Sequence, residues 1–177
     1  MYVAIGKIFL GWAIAVAGTS ESGIGLLRQG LRDYRATGTE SWAPYYGALL
    51  AERLGRVGST GKALTVLHEA QRSANRAADH FFWEPEMRRL EGELCLSSHS
   101  IDAANAEEKF LRAITTARER HAKSLELRAS TSLARLWRDE GKRTEARDLL
   151  APIYGWFTEG FDTPDLKEAK ALLEELA

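Results

Sequence analysis

Apolar residues recur three and four positions apart through most of the chain. In one stretch they fall at Leu64, Leu67, Ala70 and Ala74. They fall again at Phe110, Leu111, Ile114 and Ala117, and at Ala146, Leu149, Leu150 and Ile153. That spacing winds one apolar stripe along a helix, whereas a half-buried strand alternates at every second residue. Short polar stretches with a glycine separate the helical runs, as in "GRVGSTG" (55–61) and "DEGKRT" (139–144). A glycine there takes positive φ without a steric penalty and ends the preceding helix.

The pattern repeats. "LGWAIAVAGTSESGIGLL" (10–27), "LAERLGRVGSTGKALTVL" (50–67) and "LARLWRDEGKRTEARDLL" (133–150) align on a glycine followed five residues later by a small residue. A looser copy, "LEGELCLSSHSIDAANAEEKF" (90–110), carries about three extra residues in its turn. The small residues Gly23, Ala63, Ala106 and Ala146 are 40, 43 and 40 positions apart. A small side chain at a helix crossing lets two backbones approach closely. Each unit reads as helix, turn, helix, and stacked copies bury the apolar face that one hairpin leaves open.

Leu10-Gly11, Gly58, Ala63, Leu67, Ala70, Ala106, Phe110 and Ala113 resemble the pattern of the tetratricopeptide repeat. Three departures accompany the resemblance. The period of about 40 exceeds that family's 34, Gly23 and Gly30 replace alanines, and the closing proline is missing. The segment 136–176 also resembles the C-terminal tail of large bacterial proteins that join a nucleotide cyclase or kinase domain to a regulatory ATPase module. That likeness implies a tail fragment as the expectation, and no cyclase or ATPase motif accompanies it.

The expected fold is therefore all-α: a tetratricopeptide-like α-solenoid of four helix-turn-helix repeats, at about 2–38, 41–79, 84–121 and 124–160, with a capping helix at 163–177. Thr163 is placed to N-cap that last helix, with Pro164 and Asp165 in its first turn. Leu166, Ala169, Leu172, Leu173 and Leu176 share its apolar face, and Pro152 is expected to kink the helix before it.

Composition narrows the function. The 177 residues hold 24 basic and 25 acidic side chains, a balance that does not point to nucleic acid or an anionic membrane. One cysteine, Cys95, allows no intrachain disulfide and fits a reducing, cytoplasmic setting. The first 18 residues carry one charge, Lys7, set inside the apolar run. A cleaved secretory signal ending at Ala17 is the rival reading of that segment.

Residues 55–64, "GRVGSTGKAL", use the vocabulary of a phosphate-binding loop but not its order. A P-loop needs glycine where Arg56 stands and a hydroxyl where Ala63 stands, after a strand rather than a helix. His68, His80, His99 and His121 have no ligand-spaced partners, and Cys95 reads as a small apolar helix residue. Glu91 and Glu93 point to different sides of a helix, and no G-x-S-x-G elbow occurs. No catalytic, cofactor or metal residue is assigned. The expected role is a non-catalytic protein-interaction scaffold, the sensor tail of a larger signalling ATPase or cyclase. The alternative is a small helical enzyme or ligand-binding protein with a pocket between helices.

In tetratricopeptide-like stacks the first helix of each unit lines a concave groove. The resemblance thus points Trp12, Tyr45, Glu52, Arg56, Arg88, Arg128, Arg135 and Arg138 into that groove. The arginines would form a basic stripe for an acidic peptide or partner domain, or else a solvated face neutralised by Glu126, Asp139 or Glu140. Two readings stand for "HFFWEPEM" (80–87), rings that plug a linker into the core or an exposed binding patch. Tyr154, Trp156, Phe157 and Phe161 are expected to seal the last hairpin against the cap. A solenoid end needs a polar outer face, and the first helix is apolar. Ile5, Ile8, Phe9 and Trp12 are therefore expected to contact upstream chain or a second copy in a homodimer.

Overall fold

The computed structural model describes residues 1–18, 20–76, 82–97 and 102–177. Among them are nine helices and no strand: α1 (Tyr2–Val16), α2 (Ser20–Ala36), α3 (Ala43–Arg56), α4 (Thr60–Arg76), α5 (Glu84–Leu96), α6 (Ala103–Glu119), α7 (Lys123–Asp139), α8 (Arg143–Tyr154) and α9 (Pro164–Glu175). His80, Phe81 and His99 lie outside the described residues, as do the extra turn residues of the third hairpin. None of the described helices is long and apolar enough to cross a membrane.

Local chemistry sets the breaks. Gly18, Gly58 and Gly141 take φ of +115°, +75° and +81° and end α1, α3 and α7. The "GRVGSTGKAL" segment is accordingly the end of α3, a three-residue turn and the start of α4. The turn between α6 and α7 has no glycine, and His121 adopts φ +54° instead. Asp102 caps α6 by accepting a hydrogen bond from the Asn105 N–H at 3.1 Å. Thr163 does stand at the N-cap of α9, but its hydroxyl turns back to donate to the Gly160 carbonyl at 2.7 Å. Gly160, at φ +77°, brings that carbonyl within reach. Helix α8 runs through Pro152 and ends two residues later at Tyr154.

Each even-numbered helix packs on the odd helices before and after it. The odd helices also pack on one another: α1 on α3, α3 on α5, α5 on α7 and α7 on α9. Among the described residues no helix touches another more than two places away along the chain. The hairpin crossings depend on missing side-chain volume. A Cβ on Gly23 would lie 2.5 Å from the Ala15 nitrogen, and one on Gly11 2.4 Å from the Leu27 nitrogen. Ala63, Ala106 and Ala146 are fully buried at the corresponding places. One core joins α1 to α5, one lies between α6 and α7, and one is formed by α7, α8 and α9, where Leu166, Ala169, Leu172 and Leu176 are buried. Leu111 departs from the expected stripe and faces solvent.

The first helix corrects the expected contact face. Ile8 is fully buried, because Gly30 lets the α2 backbone sit against it, with a built Cβ at 30 only 2.8 Å from Ile8 Cγ1. Ile5 and Trp12 are half-buried in the first core. Phe9 stays partly exposed, its ring edge-on to Tyr46 at 5.9 Å. The exposed apolar side of α1 is instead Tyr2, Val3, Phe9, Leu10 and Val16. The last hairpin needs a similar correction. Tyr154 and Phe157 pack on the α7–α9 core, but Trp156 and Phe161 are exposed. They sit in the long connection before α9, and the apolar face of α9 is already filled by its leucines.

Gly23→Ala should destabilise the protein by about 1–3 kcal/mol, since the added methyl meets the α1 backbone at Gly11 and Ala15. Gly25→Ala, in the same helix with open space around it, should stabilise by about 0.5–1 kcal/mol. Urea unfolding midpoints of the two variants should move in opposite directions.

Candidate functional site

The odd helices build a continuous polar cleft. Glu52 and Arg56 enter it from α3, Arg89 and Glu93 from α5, Arg128, Thr131, Ser132 and Arg135 from α7, and Asp165 and Glu168 from α9. At the α3 side it opens into a cavity of about 230 Å³ whose wall adds Gly55, Leu90, Leu94 and Ser97. Gly55 leaves room there for the Leu94 side chain, whose Cδ2 a Cβ at 55 would meet at 2.7 Å.

The floor is a buried ion network. Arg89 is 7 % exposed and grips Glu86 with two hydrogen bonds, from Nε at 3.0 Å and from Nη2 at 2.8 Å. Its Nη1 donates to Glu93 at 3.2 Å and to the Ser132 hydroxyl at 3.4 Å, and that hydroxyl donates to Glu93 at 2.7 Å. Arg128 reaches the same Glu86 at 3.0 Å and lies 4.0 Å from Asp165. Burial works against the Arg89 charge, but Glu86, and then Glu93 and Glu52, raise its pKa above the ordinary arginine value. Charges that deep in a fold persist only when paired and hydrogen-bonded.

The upper wall differs in character. Arg135 pairs with Glu168, and Arg138 with Asp139 at 2.9 Å and Glu175 at 2.6 Å. Arg56 is exposed and has no ion pair among the described residues. Burial lowers the Arg135 pKa, and the guanidiniums of Arg89, Arg138 and Arg56 lower it further against the pull of Glu93. Four arginines thus crowd one end of the cleft.

The structure gathers Glu52, Arg56, Arg128 and Arg135 in the cleft and sets Arg138 beside it. Tyr45 lies at the other end, stacked on Trp83 at 4.1 Å. Burial raises its pKa, and Arg128, Glu86 and Glu52 act on its hydroxyl through their charges. Trp12 does not line the cleft. Its indole N–H is shielded from water without an acceptor among the described residues.

Arg88 is the clear misplacement. It pairs with Glu84 at 2.7 Å on the side of α5 that faces Gln71 and Lys109, and Arg89 takes the inward position. The 43-residue step from Ala63 to Ala106 maps Tyr45 onto Arg88, but the extra residues fall after α5, between it and α6. A second repeat sets the correct register. Trp42-Ala43-Pro44 and Trp83-Glu84-Pro85 open α3 and α5 and are 41 positions apart. That step maps Tyr45 onto Glu86 and Glu52 onto Glu93, which are residues of the network.

Nor is the lining a basic stripe. Four arginines are matched by Glu52, Glu93, Asp165 and Glu168, with Glu86 beneath them. The expected neutralising partners act elsewhere for the most part. Asp139 does hold Arg138, but Glu126 pairs with Arg118 and Lys123, and Glu140 with Lys142. Among the described residues no cluster of three or more His, Cys, Asp or Glu is arranged to hold a metal ion. Cys95 is half-buried, and burial pushes its thiol pKa up.

Arg89→Ala should cost about 3 kcal/mol of stability, because among the described residues it leaves the buried Glu86 with Arg128 alone and Glu93 with only the Ser132 hydroxyl. Chemical denaturation of that variant measures it. Two other carboxyl groups set the acid limit. Burial alone would raise Glu84 and Glu126, but hydrogen bonds from Arg88 and Arg120, and from Arg118 and Lys123, hold both below the ordinary glutamate value. A depressed folded pKa contributes stability that is complete above the unfolded value and is lost as the pH falls through the folded one. Stability should therefore decline below about pH 4.5, and Glu126→Gln should flatten that decline in a pH series of urea midpoints. No protein-family model matches the chain, and no curated protein aligns with it significantly, so the functional reading rests on the cleft.

Proposed function

We propose that this chain is a non-catalytic protein-interaction scaffold, a tetratricopeptide-like α-solenoid whose odd helices present a cleft to a peptide or partner domain. The neighbour-to-neighbour packing of α1 through α9 supports the solenoid reading. The observation that carries the binding role is the arginine-crowded end of the cleft. There Arg56 has no ion pair among the described residues, and the half-buried Arg135, paired with Glu168, feels the repulsion of Arg89, Arg138 and Arg56.

A partner carboxylate entering there relieves that crowding and gains charge-assisted, fork-like hydrogen bonds. The charge balance of the remaining lining makes the acidic preference local to this end. The rest of the cleft selects by matching both signs. In a larger signalling protein such a cleft would report partner occupancy to an enzymatic domain, a role that rests on the resemblance of residues 136–176 to regulatory tails.

The test is a fluorescence-anisotropy titration of a labelled twelve-residue peptide rich in glutamate and leucine. Arg56→Glu and Arg135→Glu should each weaken binding about tenfold, and rising salt should weaken it in the unchanged protein. Binding that ignores both charge reversals removes the cleft as the site. A small molecule that fills the cavity between α3 and α5 and raises the melting temperature, with no peptide bound, would favour a ligand-binding protein instead.

A further inference from the structure

A second surface lies on the edge where the chain passes from an even helix into an odd one. Six aromatic side chains are exposed among the described residues, and four of them, Trp42, Phe82, Trp156 and Phe161, sit in these connections. The connections at the opposite edge, at 57–59 and 140–142, carry valine, glycine, serine, glutamate and lysine but no ring. Chance burial does not explain so uneven a distribution, because soluble surfaces scatter their apolar residues singly.

Contacts tie the edge into one strip. Trp42 lies 6.2 Å from Trp83, and Phe82 stands edge-on to Trp83 at 4.9 Å. Glu84, next to Trp83, binds Arg120 in the connection before α7. Lys123, at the start of α7, places its ammonium 5.9 Å from the Trp156 ring centroid. The strip thus runs from the start of α3 to the connection that precedes α9.

Beside Trp156 and Phe161 the free charge is negative. The cations there are already engaged: Arg120 by Glu84, and Arg118 and Lys123 by Glu126. At the far end Arg35 and Arg72 share a depression with Glu40 and Glu69, so the signs balance. Glu159 and Asp162 are exposed beside Trp156 and Phe161 and have no ion pair among the described residues. Exposed rings with uncompensated carboxylates suit a cation. A lysine or arginine lies over the ring face while its neighbours meet the acids, as Lys123 already does over Trp156. Anionic lipid headgroups would meet like charge at Glu159 and Asp162.

We propose that this aromatic edge docks a partner protein segment that presents lysine or arginine among apolar side chains. The site is separate from the cleft and does not depend on the cleft's role.

The experiment is an anisotropy titration of a labelled sixteen-residue peptide with leucine and lysine at helical spacing, beside the same peptide with glutamate for lysine. The lysine peptide should bind saturably and the glutamate peptide should not. Trp156→Ala and Phe82→Ala should each weaken binding about tenfold, as should the double reversal Glu159→Lys, Asp162→Lys. The reversed positions are exposed, so this variant should keep the parent melting curve and remain interpretable if an aromatic variant does not. Arg135→Glu, which disables the cleft, should leave this binding unchanged. Equal binding of the glutamate peptide, or undiminished binding to the double reversal, overturns the proposal. So does co-sedimentation with phosphatidylserine–phosphatidylcholine vesicles in the absence of peptide binding.

Discussion

Arg89 enters the contact between α5 and α7 with almost none of its surface in water, and its surroundings follow from the need to keep it charged. Desolvating a guanidinium is costly, and one carboxylate rarely offsets it. Here Glu86 takes two of its N–H groups, Glu93 and Ser132 take another, and Arg128 in turn shares Glu86 from α7. The network fixes the register of α5 on α7 and carries it towards α9 through Arg128 and Asp165. The polar cleft is the solvent-facing rim of that arrangement.

The apolar cores around it work by a different constraint. Helix pairs approach as closely as their smallest residues allow. Gly11 and Gly23 set that limit between α1 and α2, and Gly47, against Ala70, sets it between α3 and α4. Gly92 makes room for the fully buried Phe110 ring between α5 and α6. These contacts are non-directional, so they fix distance and leave the choice of partner charges to the odd helices. The apolar packing therefore resides largely in the hairpins, and the charged network on the faces where odd helix meets odd helix.

Much of the helical pattern could be read in the chain itself. The turn glycines at 18, 58 and 141 take the positive φ that their place in the pattern demands, and Ala63, Ala106 and Ala146 are buried at the crossings. The candidate site was less accessible. The resemblance to tetratricopeptide stacks pointed Arg88 inward, a position the 43-residue step between Ala63 and Ala106 also gives, while the Trp-x-Pro pair 41 residues apart carries the register of the first helices. An insertion between two helices shifts every residue after it and none before it. One period therefore cannot serve both halves of a hairpin.

Sequence alone determined what depends on neighbours along the chain: helical periodicity, turn conformation, the small residues at crossings and the apolar face of α9. Those rest on backbone geometry and on spacing within a few residues. Only the tertiary structure decided which carboxylate meets which guanidinium, that Ile8 is buried while Trp156 and Phe161 are exposed, and that Thr163 turns to Gly160 rather than to its own helix. Those outcomes turn on rotations of about 100° per residue and on ångström differences in helix spacing, which a linear pattern does not encode.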